Sequence, residues 1–255
     1  MKMMFFGADR HGARNALRMI LDRGGQVAGC VFDDVRPNKL SSICEENGIS
    51  CYTTGEVYQL LAVGGFPSFD VGISYLYPRI LKEPLISFPK EGIINFHPAP
   101  VTVHRGIAAC CYCLLNGYDQ WAVTAHYVTP GIDEGDIIKE YWFPFTGLRS
   151  AIDAESYIQE QSLILLSEII EKLIAGQPLS RQKQDLLKGR YFSRRNLESM
   201  KDVSEITSAE EIDRRIRALW FPPYHGAYIT IGGSKYTLVS QELLEEIARL
   251  YEKNR

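Results

Sequence analysis

Short apolar runs alternate with amphipathic stretches of helical period through residues 1–145, and this alternation constrains the fold more than any other feature. Met3–Phe6 reads as a buried strand, Ala13–Arg23 as a helix and Gln26–Phe32 as a second strand. Leu40–Asn47, closed by Gly48, and Glu56–Ala62 read as helices on either side of a short strand near Ser50–Tyr52. Further strands are expected at Val71–Ser74 and Ile93–Asn95. Strands separated by helices are joined by crossovers, so the expected class is α/β, with a doubly wound, mostly parallel, Rossmann-like sheet. A chain of 255 residues, 45% hydrophobic, can bury a substantial core in that arrangement.

Beyond the middle of the chain, Gly106–Leu115 reads as a helix, Ala122–Val128 and Asp136–Phe143 as strands, and Ala154–Ile174 as a long amphipathic helix. After Gly176-Gln177-Pro178 the texture changes, and Gln182–Ser208 is charged and irregular. Ala209–Leu219 follows as a helix whose Arg214, Arg215 and Arg217 read as a solvated face. A hairpin is expected from Gly226–Ile231 and Lys235–Val239 around Gly232-Gly233-Ser234, then a terminal helix over 241–253. The division expected is therefore a main domain over 1–180 and a small α+β subdomain over 181–255.

Chemistry concentrates at two places. In Ile94-Asn95-Phe96-His97-Pro98-Ala99-Pro100, strand alternation puts Asn95 and His97 on one side, and the prolines then take the chain off the sheet. About 35 residues later, Gly131-Ile132-Asp133-Glu134-Gly135-Asp136 places Asp133 in a glycine-flanked turn. An amide and an imidazole beyond a strand end can stabilise an oxyanion. A neighbouring carboxylate can fix the imidazole tautomer, raise its pKa or relay a proton. With no Ser or Cys in a nucleophile elbow, the nucleophile is expected to be the substrate. Gly7-Ala8-Asp9-Arg10-His11-Gly12 lacks the glycine spacing of a dinucleotide fingerprint.

Asn95-Phe96-His97-Pro98, Arg105-Gly106 at the expected start of the next helix, and Gly131–Ile138 together resemble the signature of the folate-dependent formyltransferases. The resemblance covers roughly residues 1–180 and implies Asn95, His97 and Asp133 as the catalytic trio. It implies N10-formyltetrahydrofolate as formyl donor, held by Tyr75, Leu76, Tyr77, Ile80, Gly131, Ile132 and Asp133. The tail, with Trp220-Phe221-Pro222-Pro223-Tyr224, looks like that of the branch that formylates nucleotide-linked sugars. The implied acceptor is then a nucleotide-linked 4-amino-4,6-dideoxysugar, met by Arg10, His11, His104, Arg105 and Tyr224. Arg10 is the phosphate candidate, a guanidinium at a helix start. A methionyl-tRNA-type formyltransferase, a formyltetrahydrofolate hydrolase and a binding module of the same fold stay open.

A formal net charge of −3 and a pI near 6.0 give no bulk attraction for nucleic acid, and no nucleic-acid partner is expected. Cys30, Cys44, Cys51, Cys110, Cys111 and Cys113 lack disulfide or zinc spacing, so reduced thiols, no metal and a cytoplasmic setting are expected. No apolar run is long enough to span a bilayer, so no membrane partner is expected. The aromatic residues near 220 point to a homodimer through the C-terminal segment.

Overall fold

A computed structural model describes residues 1–253. The elements run β1 (Lys2–Phe6), α1 (His11–Asp22), β2 (Gln26–Val31), α2 (Lys39–Glu46), β3 (Cys51–Tyr52), α3 (Thr54–Ala62), β4 (Val71–Tyr75) and β5 (Ile93–His97). They continue with β6 (His104–Gly106), α4 (Ala109–Asn116), β7 (Gln120–Tyr127), β8 (Ile137–Pro144) and α5 (Ala151–Ile174). The last are β9 (Arg190–Phe192), α6 (Arg194–Ser199), α7 (Ala209–Leu219), β10 (Tyr228–Ile231), β11 (Ser234–Thr237) and α8 (Gln241–Lys253).

A seven-stranded sheet has the order β3-β2-β1-β4-β5-β7-β8. β1, β2, β3, β4 and β5 pair in parallel, and β7 joins β5 antiparallel, which makes the sheet mixed. The fold is thus the mostly parallel α/β sheet that the alternation required. β1 is buried on both faces, as a central parallel strand must be when helices cover each side. Met4 and Phe6 pack with Val31, Val57, Phe66, Phe69, Leu85 and Ile93 on one of those faces. The strand order turns about β1 and β4, and in open α/β sheets ligands enter at such a switch, beyond the carboxyl ends of the strands. Gly12 in the first turn of α1 allows a close approach there, because a Cβ would press on Leu76 and on the Gln159 amide.

The chain forms two compact units. The first comprises Met1–Arg105, Ala122–Tyr141 and Gln159–Gly189, and the second Gly106–Trp121, Trp142–Ile158 and the described residues from Arg190 onward. In the second, the rings of Tyr112, Tyr118, Trp121 and Phe145 cluster, with Phe192 edge-on to Tyr112 at 5.4 Å. β10 and β11 form the expected antiparallel hairpin. The arginines of α7 are more engaged than a solvated face: Arg215 pairs with Glu211 at 2.7 Å and reaches the Met200 carbonyl, and Arg217 pairs with Asp213 at 2.8 Å.

Two further expectations change. Arg105-Gly106 does not open a helix: it lies in β6, and α4 begins at Ala109. Gly106 and Ala108 have φ of 98° and 59°, values that forbid helix through this stretch. Within the irregular Gln182–Ser208 segment, Gln182 exchanges backbone hydrogen bonds with Ile137, and Ser193 caps the short α6 through Asn196.

Candidate active site

The site lies in the first unit, at the carboxyl end of β5. Asn95 is flanked in the sheet by Ser74 of β4 and His126 of β7, and His97 by Thr124. Each neighbour acts on it. Ser74 Oγ donates to Asn95 Oδ1 at 2.9 Å, and Asn95 Nδ2 meets His126 Nε2 at 3.2 Å. His126 Nδ1 lies 2.9 Å from the Tyr127 carbonyl, which only accepts, so Nδ1 carries the proton. Asn95 Oδ1 accepts from Ser74, so Nδ2 is the atom facing His126 and donates to its Nε2; the amide is held with nitrogen toward His126 and oxygen toward Ser74.

The same logic fixes His97. Its Nε2 lies 3.1 Å from the His104 carbonyl and donates to it, which leaves Nδ1 as the edge that can gain or lose a proton. Nδ1 faces Asp133 Oδ2 at 3.5 Å, and Asp133 Oδ1 lies 3.4 Å from His126 Nε2. Burial pulls the His97 imidazole below its ordinary range, and the Asp133 carboxylate works in the opposite direction. Burial prevails, so His97 rests neutral at pH 7, short of the raised pKa that a lone carboxylate neighbour would give.

Loop geometry holds these groups in place. Thr124, fully buried, donates to the Ala99 carbonyl at 2.7 Å and accepts from the Val101 N–H, which fixes the Pro98–Pro100 turn under His97. Asp133 has φ 55°, a strained value for a residue with a side chain. Gly135 supports that turn, since a Cβ there would collide with the Tyr127 carbonyl. Gln184 spans it, donating to the Asp133 carbonyl at 2.9 Å and the Gly135 carbonyl at 2.5 Å.

Asn95 and His97, neighbours on one face of β5, are thus brought into one cluster with Asp133, distant in sequence, joined by His126. His126 and Gln184 were missed by sequence reasoning. His126 sits seven residues before Asp133 in a strand that alternates, a visible signal; Gln184 lies in an irregular stretch and gave none. His104 and Arg105 are buried, the first supporting His97 through its carbonyl, the second donating to the Leu186 carbonyl at 3.2 Å. Tyr75 is buried, its hydroxyl on the Gln159 amide oxygen at 3.1 Å. Leu76 and Tyr77 are half-buried beyond β4, and Ile80 and Ile132 expose 58% and 37% of their surface. Gly131 is half-buried. Arg10 and His11 are exposed at the start of α1, where Arg10 occupies the cap position and His11 bonds to Asn15. Tyr224, in the second unit, is exposed and stacks on Phe221. Among the described residues, no group of three His, Cys, Asp or Glu is placed to hold a metal ion. Among the same residues, no helix is long and apolar enough to cross a membrane.

Sheet and cluster define an α/β protein with an amide, two imidazoles and a carboxylate gathered at the carboxyl end of β5. Residues 67–168, which contain Asn95, His97 and Asp133, match the formyl transferase family model. Methionyl-tRNA formyltransferase of Syntrophomonas wolfei is 24% identical over 96% of this chain and 81% of its own. GDP-perosamine N-formyltransferase of Brucella melitensis is 26% identical over 71% of this chain and 68% of its own. The fold is shared with an N-formyltransferase from Helicobacter canadensis solved with folinic acid and dTDP-3-aminofucose. The TM-score is 0.73 at 23% identity, covering 92% of this chain and 86% of that one.

Proposed function

We propose that the protein transfers a formyl group from N10-formyltetrahydrofolate to the amino group of a nucleotide-linked 4-amino-4,6-dideoxysugar, for surface polysaccharide or glycan synthesis. The observation that carries this reading is the gathering of Asn95, His97 and Asp133 in one cluster, with the hydrogen-bond directions of Asn95 and His97 fixed. The sugar branch is supported by the Helicobacter canadensis fold relative and the Brucella melitensis sequence relative.

The neutral sugar amine attacks the formyl carbon, forming the new C–N bond and an oxyanion. Asn95 Nδ2 has a second proton free of His126 to direct at that oxygen, and a donor so placed contributes about 3–4 kcal/mol. The proton released by the amine is taken up at the Asp133–His97 Nδ1 edge, where the imidazolium formed adds its own donor. Collapse breaks the bond to N10, and the same edge returns the proton to the departing folate nitrogen. The donor's ring system lies against Leu76, Tyr77, Ile80 and the Gly131–Asp133 turn, with Tyr75 beneath. The sugar nucleotide approaches from Arg10 and His11, and His104 and Arg105 brace its side of the site.

A second reading, methionyl-tRNA formylation, is favoured by the Syntrophomonas wolfei relative, which matches along 96% of this chain. Incubation with N10-formyltetrahydrofolate and a panel of dTDP-, UDP- and GDP-linked 3- and 4-amino sugars, beside methionyl-tRNA, separates the two by mass spectrometry. Formylation of a 4-amino sugar is the expected result. Formyl-methionyl-tRNA alone selects the second reading, and tetrahydrofolate released with no formylated product selects hydrolysis. His97→Asn is expected to lower kcat about 100-fold or more with folding intact, and full activity in that variant removes the mechanism.

A further inference from the structure

The segment from Leu76 to Lys82 leaves the sheet at the switch between β1 and β4, starting two residues after the Ser74 that holds Asn95. Leu76 has φ 55°, and strain of that kind persists where the surroundings over-determine the backbone. Those surroundings centre on one carboxylate, Asp33. Its Oδ1 accepts the Thr54 N–H at 2.8 Å, and its Oδ2 accepts the Thr54 hydroxyl at 2.7 Å and Arg79 Nε at 2.9 Å. Thr54 has spent its one hydroxyl proton on Asp33, so the 2.5 Å contact with Tyr77 is donated by the Tyr77 hydroxyl. One helical turn further along α3, Tyr58 takes the Lys82 N–H at 2.8 Å and donates to the Lys82 carbonyl at 3.2 Å. The segment is therefore pinned at Tyr77, Arg79 and Lys82.

We propose that Asp33 is a positioning residue that clamps Leu76–Lys82 in the shape that receives the folate donor; the proposal rests on the donor reading above. Arg79 is mostly exposed, and an ion pair with it alone would hold little. Asp33 acts through the combination, because the same carboxylate meets the first N–H of α3, a helix end that favours negative charge, and orders the hydroxyl chain to Tyr77. Burial pushes the Asp33 carboxyl up, and the bonds from Thr54 and Arg79 outweigh it and hold it below the usual carboxylate range. The clamp is thus charged throughout the neutral range. Asparagine has nearly the same size but turns one acceptor into a donor that faces Thr54 and Arg79.

Titration calorimetry with folinic acid, the N5-formyl analogue, is expected to show Asp33→Asn binding about tenfold more weakly than the parent, the size of one charge-assisted hydrogen bond. At saturating acceptor the donor KM rises by a similar factor, while kcat and the acceptor KM stay within about twofold. Thr54→Val, which removes the hydroxyl link and no charge, moves folinic acid affinity the same way and carries the test if Asp33→Asn fails to fold. Amide hydrogen exchange over Leu76–Lys82 in the ligand-free protein becomes faster in both variants. Unchanged folinic acid affinity with unchanged exchange overturns the clamp, as does a loss of kcat with the donor KM unmoved. If the parent itself binds no folinic acid, the donor reading fails instead, and the exchange measurement decides the clamp alone.

Discussion

His97 illustrates how two opposing influences decide a protonation state at the scale of one residue. Burial disfavours the imidazolium, the Asp133 carboxylate favours it, and the outcome lies below the ordinary value of 6.5. A histidine with a depressed folded pKa contributes its full stability above the unfolded value, and that contribution is lost as pH falls toward the folded one. Between pH 7.5 and 5.5 the wild type is therefore expected to lose stability relative to His97→Asn, by about 1.4 kcal/mol per pH unit inside the window between the two pKa values. Denaturant titrations of both proteins at each pH measure this difference directly, since titrations common to both cancel. A difference that moves the other way on acidification would mean that His97 is the protonated partner of Asp133 in the folded protein.

Among the elements, the turn that carries Asp133 is the least self-sufficient. Asp133 holds a left-handed backbone, and Gln184 satisfies two of the turn's carbonyls from a segment with no regular structure. Gln184→Leu keeps the volume and removes both bonds, a loss of about 1–2 kcal/mol in stability. The turn is then expected to sample other conformations, with kcat falling about tenfold or more if Asp133 has the role proposed for it, because displacement of a reacting group is felt steeply. Unfolding midpoints together with steady-state rates test this, and unchanged kcat would show that β8 alone fixes Asp133. Why the sequence concealed Gln184 is physical: its contacts are to backbone carbonyls of a distant segment, which have no residue signature. The strands of the seven-stranded sheet, and the placing of Asn95 and His97 at a strand end and of Asp133 in a turn, were legible, because side-chain alternation and proline or glycine punctuation are local. α5 begins at Ala151, earlier than its hydrophobic stripe, because the Ser150 hydroxyl accepts the Asp153 N–H at 3.3 Å; that cap is readable in the sequence as Ser-x-x-Asp. The start of α4 was hidden because positive φ at Ala108 is imposed by tertiary context, against the preference of alanine.

For the molecule as a whole, charge separates the two acceptors that the relatives suggest. A net charge of −3 makes the chain a poor general attractor of polyanions, so a tRNA acceptor would have to bind through local phosphate contacts alone. Each neutralised phosphate releases counterions, and a protein that makes 6–10 such contacts loses about 10³–10⁵ in affinity between 50 and 200 mM salt. A sugar nucleotide offers one pyrophosphate to one or two cations such as Arg10, and the matching loss is about tenfold at most. The acceptor kcat/KM is therefore expected to fall by no more than about tenfold over that salt range, with the donor KM nearly constant. A steep power-law decline with the acceptor that turns over would point to nucleic acid, bound through local clusters of cations such as the arginines of α7. There, Arg215 and Arg217 are already paired within α7, leaving reduced positive potential to spare. That internal pairing is the reason the shallow dependence is expected from the fold as well as from the net charge.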